Sequence, residues 1–137
     1  MNTTPEWITE VKDDEVFVFG SNIGGRHGRG AAKMALKFGA IYGQGFGMAG
    51  RTFAIPTMDV QIRKKLSLRH ISVYVHKLLD FVEKRPGLKF YVTEIGCGLA
   101  GWTVKDIAPL FRDGVSLPNL YLPKAFWRVL SHDKELI

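Results

Sequence analysis

The 137-residue chain carries 19 Lys and Arg against 13 Asp and Glu, a formal net charge of +6, with 46% hydrophobic and 23% charged residues. That composition is ordinary for one folded domain with a real core and excludes a disordered, fibrous or low-complexity chain. The single cysteine, Cys97, excludes an internal disulfide framework and a cysteine-based zinc site, no apolar run is long enough for a membrane helix, and the surplus of positive charge favours an anionic partner such as phosphate, nucleotide or nucleic acid.

In chain order, the start "MNTTPEWITEVKDDE" lacks the basic end and apolar stretch of a signal peptide, so a cytoplasmic protein with no membrane partner is expected. "EVFVFG" (15–20) predicts a short strand covered on both faces, because its apolar residues follow one another instead of alternating. "RGAAKMALKFG" (29–39) predicts a helix ended by Gly39. "GAIYGQGFGMAG" (39–50), with aromatic residues between glycines, fits an irregular hairpin or a lid over a ligand, and the hairpin is preferred. "TFAIPT" (52–57) is a second buried strand.

The segment 67–87 reads as a helix. Ser67 stands as N-cap, Leu68, Ile71, Val75, Leu78, Leu79 and Val82 recur at spacings of three and four, and "RPG" stops it. "LKFYVTEIG" (88–96) predicts a third strand and "NLYLP" (119–123) a weaker fourth. Between them "TVKDIAPLF" (103–111) starts a helix with a Thr cap and an early Asp106. Strands alternating with helices imply a single three-layer α/β/α domain over residues 1–137, its mostly parallel sheet flanked by helices.

In such sheets ligands sit beyond the carboxyl ends of the strands. Two glycine-rich loops leave those ends, "GSNIGGRHGRG" (20–30) and "GCGLAGW" (96–102), and each precedes a predicted helix, an arrangement suited to an anion because exposed amides can approach it closely. The first loop matches neither standard nucleotide motif. Arg26 replaces the lysine of a triphosphate loop and no hydroxyl follows it, while Gly25, Gly28 and Gly30 have the wrong order of spacings for a dinucleotide fold.

"VFVFGSNIGGRHGRGAAKMA" resembles the strand, Asn-bearing loop and helix entry of macrodomains, and "TEIGCGLAGW" resembles their diphosphate loop. The wider pattern, spanning residues 16–111, is similar to a small macrodomain-like group of bacteria and their phages. The resemblance implies a cleft for ADP-ribose or an ADP-ribosylated macromolecule, with no cofactor and no metal. By position, Asn22 would approach the distal ribose. Gly24, Gly25, Gly28 and Gly30 would let the first loop wrap the ligand, the amides of Gly98, Leu99, Ala100 and Gly101 would hold the diphosphate with Gly96 and Cys97 also among the ligand-binding residues, and Trp102 would stand beside the ribose or on the rim. Two departures accompany it. Arg29 stands near the place of the acidic residue that many hydrolytic members carry, and only Asp13 and Asp14 are near enough in sequence to read an adenine amino group.

For catalysis, His27 is the expected acid or base, since imidazole exchanges protons near neutrality, and Glu94, two residues before Gly96, would orient His27 or a water. Cys97 lacks a partner base in sequence. His70, His76 and His132 read as surface or packing residues. Three functions remain open at this level: a hydrolase freeing ADP-ribose from a target or removing its 1″-phosphate, a non-catalytic ADP-ribose-binding module, and a nucleic-acid-binding protein working through "RKKLSLRH" (63–70).

Overall fold

The computed structural model describes residues 2–135 and shows an α/β domain with a five-stranded mixed sheet of order β2-β3-β1-β4-β5 and four helices. The central strand β1 (Glu15–Asn22) pairs in parallel with both β3 (Thr52–Met58) and β4 (Lys89–Val92), β4 pairs in parallel with β5 (Leu120–Tyr121), and β2 (Gly47–Ala49) closes the other edge antiparallel to β3.

The unbroken apolar run of β1 follows from cover on both faces. Val16 and Val18 belong to a core with Phe53, Ile55, Phe90 and Val92, roofed by α2 (Leu68–Glu83), by the 3-10 turn Ala108–Gly114 and by α4 (Lys124–Glu135). Phe17 and Phe19 point the other way, into a smaller core with α1 (Gly30–Ala35) and Phe38. Helix α2 begins as expected: the His70 amide donates to Ser67 Oγ at 3.1 Å, a cap worth about 1 kcal/mol. Its apolar stripe, Ile71, Val75, Leu78, Leu79 and Val82, is buried.

Several bounds differ from the sequence expectation for local reasons. The first helix stops at Ala35 and tightens into a 3-10 turn, Leu36–Phe38, before Gly39 takes a φ of 106°. The third strand ends at Val92: Thr93 still donates its amide and hydroxyl to the Val18 carbonyl of β1, and the chain then turns, the Ile95 amide donating to the Thr93 carbonyl at 2.7 Å. The third helix is a single turn, α3 (Val104–Ile107), opened by a reciprocal Thr103–Asp106 capping box. It continues as a 3-10 turn from Ala108, where Pro109 supplies no amide for an α-helical bond. The glycine-rich segment does make a hairpin, β2 against β3, while its first half, with Tyr42, reaches the cleft described below. Among the described residues no helix is long and apolar enough to cross a membrane.

Candidate functional site

β1, β3 and β4 run parallel, so their carboxyl ends open on the same edge, and there the two glycine-rich loops enclose a cleft of about 670 Å³. Its volume lies within the range of small-molecule sites. Of the residues singled out in the sequence, the cleft gathers Asn22, Gly28, Gly30, Glu94, Gly96, Gly98, Leu99 and Ala100. It adds Arg26, Arg29, Tyr42, Thr57, Met58 and Ile62.

The first loop is held by Asn22. Buried at the end of β1, its Oδ1 accepts from the Arg26 amide at 2.8 Å and its Nδ2 donates to the Arg26 carbonyl at 3.0 Å, so both ends of the side-chain amide are used inside the loop. Asn22→Ala is therefore expected to lower unfolding free energy by about 1–3 kcal/mol, measured by urea denaturation, with weaker ligand binding as a consequence of a slack loop. An unchanged denaturation midpoint would show that the clasp contributes nothing.

Gly24 and Gly25 do not line the cleft, contrary to expectation; they let backbones meet. A Cβ on Gly24 would stand 2.8 Å from the Val60 carbonyl oxygen, and one on Gly25, at a φ of +68°, would stand 2.3 Å from Gln44 N and Gly43 C. The Gly43 amide donates to the Gly25 carbonyl, and Ser21 Oγ donates to the Gly45 carbonyl, stitching the segment 41–47 onto the first loop.

His27 is a further correction. Its side chain is 2% exposed, does not line the cleft, and packs edge-on against Phe19 with ring centroids 5.2 Å apart. Nε2 lies 3.1 Å from the Gln44 carbonyl, which can only accept, so Nε2 carries the hydrogen and Nδ1 is left as a buried acceptor without a partner. The ring fastens the segment 41–47 and stands outside the cleft. Tyr42, exposed and edge-on to His27, lines the cleft in its stead.

In the second loop the amides of Cys97, Gly101 and Trp102 bond to the carbonyls of Glu94, Gly98 and Gly96. The amides of Gly98, Leu99 and Ala100, between these closures, make no hydrogen bond to a described residue. Their residues line the cleft, so these amides are donors left unused by the loop itself. Cys97, Gly101 and Trp102 stand outside the cleft. Burial, with the charges of Glu94 and Asp106, pushes the Cys97 thiol up to about 11, so it is protonated at neutral pH and unfit as a nucleophile. Trp102 donates from Nε1 to the Leu66 carbonyl at 3.0 Å and lies under Lys65 Nζ, 3.7 Å from the ring centroid, tying the loop to the segment before α2.

The cleft's charges are Arg26 and Arg29 against Glu94, all exposed. Asp13 and Asp14 precede β1, at the opposite end of an eight-residue strand, so on the order of 20 Å separates them from the cleft and neither serves an adenine there. Arg63, Lys64 and Lys65 follow Ile62, which lines the cleft in a left-handed conformation, φ 58°, uncommon for a β-branched residue. Among the described residues no three His, Cys, Asp or Glu side chains gather as a metal site would require. No protein-family model matches the chain, and neither a curated protein nor a solved structure matches it.

Proposed function

We propose that the protein binds ADP-ribose or a derivative in this cleft and hydrolyses the bond that joins it to a modified target or to a 1″-phosphate. One observation carries the reading: both glycine-rich loops converge on the carboxyl edge of the sheet, where Gly98, Leu99 and Ala100, whose amides have no partner among the described residues, line the same cleft as Arg26 and Arg29. A diphosphate needs that combination of close backbone donors and positive charge. The resemblance of "TEIGCGLAGW" to the macrodomain diphosphate loop supports the same placement. Glu94 is the one acidic residue lining the cleft among those described. In the hydrolysis it orients a water toward the bond carbon and accepts its proton as the new carbon–oxygen bond forms, while the bond to the leaving oxygen breaks with its electron pair on that oxygen, which takes a proton from solvent as the target or phosphate departs.

A non-catalytic binding module is the second reading, favoured by the withdrawal of His27 from the cleft and by the protonated thiol of Cys97. A time course with ADP-ribosylated substrate separates the two, since a hydrolase releases the group and a module protects it. Binding itself is tested by calorimetry. Gly98→Val should weaken ADP-ribose about tenfold or more while sparing the fold, because a Cβ there meets nothing within 4 Å yet blocks approach to the amides. Absence of heat at millimolar ADP-ribose with the parent protein would overturn the proposal.

A further inference from the structure

A second cavity, a groove of about 830 Å³, lies between the N-terminal segment, α1 and the start of α4. Ala31, Thr93 and Glu94 line both this groove and the cleft, so the two are neighbours across one wall and Glu94 stands at their junction. The groove's apolar lining includes Ile8, Phe17 and Met34. Its wall carries Trp7, 84% exposed, and the exposed cations Lys124 and Arg128. The cations are four residues apart and therefore on one face of α4, whereas the groove's carboxylates, Glu6 and Glu94, come from separate segments.

We propose that this groove is the subsite for the macromolecule bearing the ADP-ribose group, and that it takes a short single-stranded nucleic-acid segment. The assignment of the modified partner rests on the cleft reading above; the groove's affinity for the strand does not. An exposed indole and two cations lining one groove supply what a single strand needs, a face to stack a base and charge to neutralise a phosphate. The surplus of positive charge favours the same partner. An extended peptide has less to hold it. Beside the groove the main chain of Leu122 is already engaged, the Thr4 amide donating to its carbonyl at 2.9 Å and its own amide to the Asn2 carbonyl at 3.1 Å, so an added strand cannot pair at that position.

The test uses the full chain and two probes: a fluorescein-labelled, unmodified, mixed-sequence oligodeoxynucleotide followed by anisotropy over a salt series, and free ADP-ribose followed by calorimetry. Trp7→Ala should weaken the oligonucleotide about tenfold, and Lys124→Glu with Arg128→Glu should lower the slope of log affinity against log salt by about 1 to 2, with ADP-ribose affinity unchanged in both. Trp7 is exposed enough for its replacement to leave melting unaltered, which keeps the test valid should the charge reversal fail to fold. Oligonucleotide binding that ignores these changes and disappears with Arg63→Glu and Lys64→Glu would overturn the proposal by placing the strand on the other basic segment. An absence of oligonucleotide binding, or capture of an acidic peptide with equal affinity and equal sensitivity to Trp7→Ala, would overturn it as well. ADP-ribose failing to bind while Trp7→Ala still weakens the oligonucleotide refutes the cleft reading and leaves the groove's preference for the strand intact.

Discussion

Gly25→Ala is expected to destabilise the fold by about 3 kcal/mol and lower the melting temperature by about 10 °C. Two costs act together. The residue holds a φ of +68°, which an alanine adopts only with strain, and the added Cβ would fall 2.3 Å from backbone atoms of Gly43 and Gln44. Those atoms cannot swing aside as a side-chain tip would, so relief requires separating the first loop from the segment 41–47. That separation also strains the bond from the Gly43 amide to the Gly25 carbonyl and the anchoring of His27 on the Gln44 carbonyl. Gly28→Ala is the control. It has no positive φ and nothing within 4 Å of its Cβ position, so its stability should stay within about 0.5 kcal/mol of the parent. Equal melting of the two variants would mean that the loop contact does not bear on stability.

The same loop contact marks the boundary of what the sequence makes legible. The strand run 15–20, the run 52–57 and the stripe of α2 are readable because cover on both faces produces continuous apolar runs and cover on one side produces a 3.6-residue period. Asn22 and Glu94 are readable as cleft residues because each sits at a strand's carboxyl end beside a glycine-rich loop. His27 is not, since the direction of its ring depends on Gln44, seventeen positions away, arriving by the close approach of two glycine backbones. Tyr42 enters the cleft by the same approach. No helix is expected from the sequence after Pro123, yet Phe126, Trp127 and Leu130 bury one side of α4. A spacing of one and four behind a proline was the available signal. The N-terminal segment gives none, because its single bridge, Thr3 to Leu122, joins residues at opposite ends of the chain.

Glu94→Gln is expected to reduce hydrolysis about 100-fold or more while leaving ADP-ribose affinity within about threefold of the parent. Glutamine keeps the size and one hydrogen-bonding oxygen of the carboxylate but cannot take a proton from water, so the change removes the base and little else. Position makes Glu94 the residue to replace: it lies just past β4, is solvent-accessible, and lines both the cleft and the adjoining groove. A bond joining a group in one cavity to a group in the other would cross beside it. Cys97→Ser should retain activity, because the thiol is held protonated and stands outside the cleft. A fall in kcat with KM unchanged is the signature of a group acting in the transition state, whereas a rise in KM alone would make Glu94 a binding residue. Full activity in Glu94→Gln, with turnover present in the parent, would remove general-base catalysis by a cleft carboxylate and leave electrostatic stabilisation by Arg26, Arg29 and the second-loop amides as the source of rate.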